Sequence, residues 1–136
     1  MPKMIFVNLP VANLAASTRL YLAIGCQKNE QFSDQKASSM VWSDTITFQL
    51  LTREYFATFT PLPVADAHKT CEVLLALSQD TRGEVDALVS AAAAHGGRAD
   101  VRPPVDMGWF YNRCFVDADG HMFEAIWMDP KATPPS

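Results

Sequence analysis

Glu124 is the one polar residue in the run Met122–Met128, and it is the first residue in the chain to question about chemistry. A carboxylate set in an apolar strand must find a metal ion, a cation, a ligand or water, because burying it bare costs too much. It follows a tight polar turn, Asp119-Gly120, whose glycine accepts the positive φ of a hairpin at little steric cost. Asn8 is the only polar residue in the apolar run 4–9, and Gln49 stands inside the strand-like run 45–51. Such amides are weak neutral metal ligands but good hydrogen-bond partners for a ligand or a neighbouring strand. Residues 109–113, Trp-Phe-Tyr-Asn-Arg, form an aromatic and polar cluster suited to ligand capture or to a subunit interface. Within it Arg113 is a candidate partner for Glu124. His121 reads as a solvated turn residue, and His68 and His95 are assigned no chemistry. The sequence has no Ser-His-Asp set, phosphate loop or Cys-x-x-Cys, so hydrolase and nucleotide-binding readings carry little weight.

These residues need elements to hold them. Residues 4–9 read as a strand, with Phe6 and Asn8 on one face and Ile5, Val7 and Leu9 on the other. Asn13 is a good N-cap for a helix over 14–23, with Leu14, Thr18, Tyr21 and Leu22 as its inner stripe and Gly25 as its stop. Three strands follow at 27–32, 39–42 and 45–51. Residues 54–59 are ambiguous, and 60–66, with Pro61 and Pro63, read as a linker. The second half repeats the pattern. Residues 71–77 form a strand, and Thr81 and Glu84 have capping-box spacing. Val85, Leu88, Val89 and Ala92 form an apolar stripe, and the helix ends at Gly96-Gly97. A strand over 98–102 and the final hairpin close the fold.

The order strand, capped helix, glycine, three strands therefore occurs twice, which marks an internal repeat. It predicts an α+β protein of two βαβββ modules, 4–60 and 70–128, within a single domain spanning 1–136. Each sheet has one face under its helix and one free face. Phe6, Gln49 and Glu124 are expected on the free faces, turned toward a shared hollow. Phe48, Phe123, Ala125 and Trp127 are expected under the helices. A ferredoxin-like sandwich ranks second, since it needs fewer strands.

Composition narrows the function classes. The chain has 136 residues, 49% of them hydrophobic and 19% charged, enough for a real core. A net charge of −4 and a pI near 5.2 argue against nucleic acid and anionic membrane as partners. No apolar run is long enough to span a bilayer, and residues 1–4 do not open a signal peptide. The three scattered cysteines read as reduced thiols, and the expected location is cytoplasmic.

Read in order, residues 8–14 (Asn-Leu-Pro-Val-Ala-Asn-Leu) leading to 19–21 (Arg-Leu-Tyr), then 74–78 (Leu-Leu-Ala-Leu-Ser) and 115–124 with its Asp-Ala-Asp-Gly-His turn, resemble the vicinal-oxygen-chelate superfamily. This is the glyoxalase/bleomycin-resistance/dioxygenase group, and the resemblance covers nearly the whole chain. It implies a cup-shaped, eight-stranded mixed sheet built from the paired modules. It also implies, in many members, a divalent metal (Zn, Ni, Mn or Fe) held by one residue from each of four strands. Carried onto this chain, those positions are Phe6, Gln49, Leu74 and Glu124. Glu124 matches and Gln49 is a weak ligand, so the set falls short of the three protein ligands a catalytic zinc ordinarily needs. A shift of two residues would keep the same face and bring in Asn8 or Glu72.

Two functions follow. One is a lyase or isomerase of the lactoylglutathione-lyase type. There Glu124, as catalytic residue and metal ligand with Gln49, would hold an ion that stabilises an enediolate. The alternative is a metal-free protein that sequesters a small molecule such as a drug. Its cup would be lined by Phe6, Asn8, Trp42, Gln49, Tyr111, Arg113 and Met122, and the net charge would favour a cationic ligand. A third reading is a scaffold packed shut by Phe6 and Leu74. The partners expected are a small molecule and a second copy of the chain in a homodimer.

Overall fold

A computed structural model describes residues 2–132. The expected order is present in the first half and, with one short strand added, in the second, so the described residues hold nine strands where eight were expected. The first half has β1 (Ile5–Val11), α1 (Leu14–Ala23), β2 (Gln27–Lys28), β3 (Ala37–Val41) and β4 (Ile46–Thr52). A short helix, α2 (Arg53–Phe56), and a 3-10 turn (Ala57–Phe59) then lead to the linker. The second half has β5 (Leu74–Ser78), α3 (Arg82–Ala94), β6 (Arg98–Ala99), β7 (Val105–Asp106), β8 (Phe110–Val116) and β9 (Met122–Met128). The strands form two mixed sheets, a four-stranded one in the order β1-β4-β3-β2 and a five-stranded one in the order β5-β9-β8-β6, with β7 also on β8. The first strand of each half runs parallel to the last, and the other pairs are antiparallel. The strands expected over 27–32 and 98–102 pair over only two residues each. After Lys28 the chain coils into a 3-10 turn whose start is capped by the Asn29 side chain. Among the described residues no helix is long and apolar enough to cross a membrane.

The caps are the ones the sequence offers. Asn13 Oδ1 accepts from Ala16 N at 3.0 Å, and Thr81 Oγ1 accepts from Glu84 N at 3.0 Å. Each satisfies an amide that has no partner inside the helix. The inner stripe of α1 is Ser17, Leu20 and Tyr21, whereas Leu22 is 46% exposed. At 100° per residue Leu22 falls past the edge of that stripe.

The two modules share the opposite sides from those expected. Phe48 of β4 and Phe123 of β9 meet edge to face at 5.6 Å, and Tyr21 of α1 touches both rings at 5.7 and 6.1 Å. Phe115 stacks on Phe123 at 5.2 Å. Phe48, Phe123 and Ala125 are buried there and Trp127 packs against them, on the helix-backed side as predicted. Each buried ring contributes roughly 1.5–3 kcal/mol. Because the helix-backed faces join in one core, the free faces look away from it. The expectation of free faces turned toward a hollow within one chain is therefore corrected. Burial of aromatic area between the modules decides the arrangement.

A polar clasp fastens one seam of this core. Asp119 accepts from Ala12 N at 2.8 Å and from Ser17 Oγ at 3.1 Å, reaching from the β8–β9 turn to the start of α1. Tyr21 OH donates to Asp117 Oδ2 at 2.7 Å, and Asp117 Oδ1 accepts from the amides of Asp119 and His121, each at 2.9 Å. His121 Nε2 sits 2.8 Å from Pro10 O, so its ring joins the two halves and is not a solvated turn residue.

Candidate functional site

Strand register fixes which side chains share the free face of the second sheet. Glu124 lies level with Ala76 of β5 and Cys114 of β8. Leu74, Met122 and Val116 flank it on one side, and Ser78, Ile126 and Asn112 on the other. The Glu124 side chain is only 17% exposed, and both its oxygens are engaged. Oε1 accepts from Arg102 Nη2 at 2.6 Å, and Oε2 accepts from the amide of buried Asn112 at 2.9 Å. The same Arg102 nitrogen donates to Asn112 Oδ1 at 3.2 Å. Burial works against the Glu124 charge. The Asn112 and Arg102 hydrogen bonds and the guanidinium charge outweigh it and hold the carboxyl below its ordinary range. Burial likewise raises the neighbouring Cys114 thiol, against the pull of Arg102.

Arg113 and Tyr111 do not join this group. Their ladder partners are Ala125 and Trp127, on the helix-backed face. Arg113 pairs with Asp100 at 2.7 Å and with Asp86 of α3 at 3.0 Å. Tyr111 OH donates to Asp86 at 2.7 Å, and the Arg82 guanidinium lies 4.3 Å from the centre of its ring. The placement of both in the cup is thus corrected. Alternation along β8 sends them to the other side from Asn112 and Cys114.

On the first sheet, Asn8 is level with Gln49 and Ser39, while Phe6 is level with Thr47. Phe6 stands on the free face, 53% exposed. The Gln49 Oε1 atom is buried with no hydrogen-bond partner. An unmet buried acceptor costs about 1–3 kcal/mol, so this face is short of a donor. Trp42 sits in the β3–β4 turn and lines a groove of about 270 Å³ with Ile24, Gly25, Gln79, Asp80 and Glu84. Met122 lines a second cavity, of about 320 Å³, with Val116, Arg98, His68 and Gly96. Neither cavity contains Gln49 or Glu124.

The residues level with Glu124 and Gln49 are Ala76 and Asn8, in place of Leu74 and Phe6. Glu124 has no second carboxylate or imidazole level with it in its sheet, and the guanidinium at 2.6 Å would repel a divalent ion. Glu72 is exposed and precedes β5, so it does not complete the set. Asp117, Asp119 and His121 offer ligand atoms within 4.8 Å of one another. Those oxygens already accept the hydrogen bonds of the clasp, so this group does not fit an ion either.

The sequence reading had Asn112 only as a member of the 109–113 cluster and Cys114 only as a reduced thiol, and it missed Arg102. The hairpin register around Asp119-Gly120 puts Asn112 and Cys114 beside Glu124, so that signal was present. Nothing in the sequence marks Arg102, which arrives from the loop after β6.

No protein-family model and no curated protein matches the chain. Solved structures do. A hypothetical protein from S. aureus is similar at a TM-score of 0.77 and 28% identity, over 93% of this chain and 94% of that one. A glyoxalase/bleomycin resistance protein/dioxygenase family enzyme from Burkholderia phytofirmans PsJN matches at 0.74 and 19%, over 93% and 99%. A bleomycin resistance determinant encoded on the transposon Tn5 matches at 0.62 and 16%, over 94% and 99%. The chain has the fold of the glyoxalase/bleomycin-resistance/dioxygenase proteins, the one its sequence resembles.

Proposed function

We propose that this protein binds a small molecule on the free face of its second sheet, around Glu124, and does so without a divalent metal. The observation that carries the reading is the closed set formed by Glu124, Arg102 and Asn112, in which a guanidinium and an amide take both oxygens of the carboxylate. A carboxylate held below its ordinary range is also a weak base for removing a carbon-bound proton, which counts against lyase chemistry at this residue. Metal analysis of protein purified without chelator, beside Glu124→Gln, tests the reading. The expected result is no stoichiometric divalent ion in either protein. One ion per chain that disappears in Glu124→Gln would overturn it.

The active form in this reading is a homodimer. β1 and β5 are the outer strands of their sheets; Ile5 and Phe6 are exposed on β1, as are Leu74 at the start of β5 and Val73 just before it. Exposed apolar edge strands favour cover by another chain. A second copy seated there would supply the other wall of each cup, and its donors would have access to Gln49. Sedimentation should give twice the chain mass, and Phe6→Lys with Leu74→Lys should give a folded monomer. A wild-type monomer at high concentration would refute the dimer.

A further inference from the structure

We infer, on the premise that this face binds a small molecule, that its ligand is an amphiphilic organic anion whose carboxylate is received by Arg102. The side chain of Arg102 is 41% exposed and is anchored through one nitrogen only. Nη2 holds both Glu124 and Asn112, while Nη1 and Nε donate to no partner among the described residues. A guanidinium fixed at one corner, with N–H groups to spare, is pre-organised for a planar oxyanion.

The charge on the face agrees. Of the β5, β8 and β9 residues whose register sets them there, only Glu124 is charged, and Arg102 neutralises it. Arg98, level with Val116, adds a second guanidinium at the edge, beside the cavity of about 320 Å³. Asp117 lines that cavity too, but it is buried and bonded to Tyr21, so the guanidinium N–H groups are the exposed charge at this face although the whole chain carries −4. A cationic ligand would find both Glu124 oxygens already taken. Leu74, Ala76, Met122 and Ile126 supply an apolar floor for the rest of the molecule.

Three probes of one shape separate the alternatives: 4-phenylbutyrate, its primary amide, and 4-phenylbutylamine. The protein carries [13C-methyl]methionine, so Met122 reports on this face and buried Met40 on the core. The acid is expected to shift Met122 and leave Met40 unmoved, and to bind about tenfold tighter than the amide or the amine. Arg102→Gln should abolish that preference, Arg102→Lys should keep part of it, and Arg82→Gln on the helix-backed side should leave it intact. Equal or tighter binding of the amide or amine at Met122 would overturn the anion inference while leaving the binding face in place. Tight binding of the acid that survives Arg102→Gln would overturn the role of Arg102. If no probe moves Met122, the binding-face reading falls and this inference falls with it.

Discussion

The two modules meet at two seams built from corresponding parts, and among the described residues only one of them is fastened by side-chain hydrogen bonds. The β8–β9 turn and the β3–β4 turn have the same length between ladder partners, Val116 to Met122 and Val41 to Thr47. Both close with the same backbone bond, Asp117 N to His121 O and Trp42 N to Ile46 O, each at 3.0 Å. Their side chains differ. Asp117, Asp119 and His121 correspond to Trp42, Asp44 and Ile46. At the first seam the carboxylates reach the β1–α1 corner and Tyr21. At the second, Trp42 faces the β5–α3 corner across a groove of about 270 Å³. The matching backbone gives both seams the same frame, and three side chains decide which of them is fastened. The clasped seam is therefore where substitution should cost most.

Asp117→Ala should be the most damaging change. It strands the buried Tyr21 hydroxyl and two amides of the turn, and about 3–4 kcal/mol should be lost in urea unfolding. A loss below about 1 kcal/mol would mean that the clasp is decorative. Gly120→Ala comes next. Gly120 has φ +89°, and a Cβ there would stand 2.8 Å from the backbone of Ala67 and His68. Left-handed strain plus a clash with the linker backbone should cost about 2–3 kcal/mol, whereas Thr45→Ala at the matching position should stay within about 0.5. Asp119→Ala should cost about 1–2 kcal/mol, against no measurable change for the exposed Asp44→Ala. Equal costs in either pair would erase the distinction between the seams.

The same comparison separates what the sequence disclosed from what it withheld. Spacing alone exposed the duplication, because Asn13 and Thr81 cap helices and Phe48, Phe123 and Ala125 alternate with Gln49 and Glu124. Period-two alternation is enough to put Glu124 on the face opposite Phe123 and Ala125. It does not by itself place Tyr111 and Arg113, because their face depends on the register of β8 against β9, where Cys114, not Arg113, is level with Glu124. Which sides of the sheets would join was also hidden. Pattern marks a face as apolar, but Phe6 and Phe48 are equally apolar, and only docking of both helices onto one core selects between them. The clasp was legible as a turn and illegible as a contact, since its partners lie more than ninety positions away in the chain.

The smallest expected effect is a matter of sign, and it sets the clasp against the free-face site. Burial raises Asp117 above the ordinary carboxylate range despite the neighbouring His121 and the Tyr21 hydrogen bond. Its folded pKa therefore exceeds its unfolded one. The stability it contributes is complete below the unfolded value and declines as pH rises through the folded value. Glu124 is shifted the other way, because its partners overcome burial. Its contribution is present above the unfolded value and is lost as pH falls through the folded one. The stability advantage of wild type over Asp117→Asn should thus shrink as pH climbs from the acid side, while its advantage over Glu124→Gln should grow across the same range. Urea midpoints measured at closely spaced pH values decide it. Parallel slopes in the two difference curves would mean that the buried clasp carboxylate and the guanidinium-held one sit in electrostatically similar surroundings, against the geometry that distinguishes them.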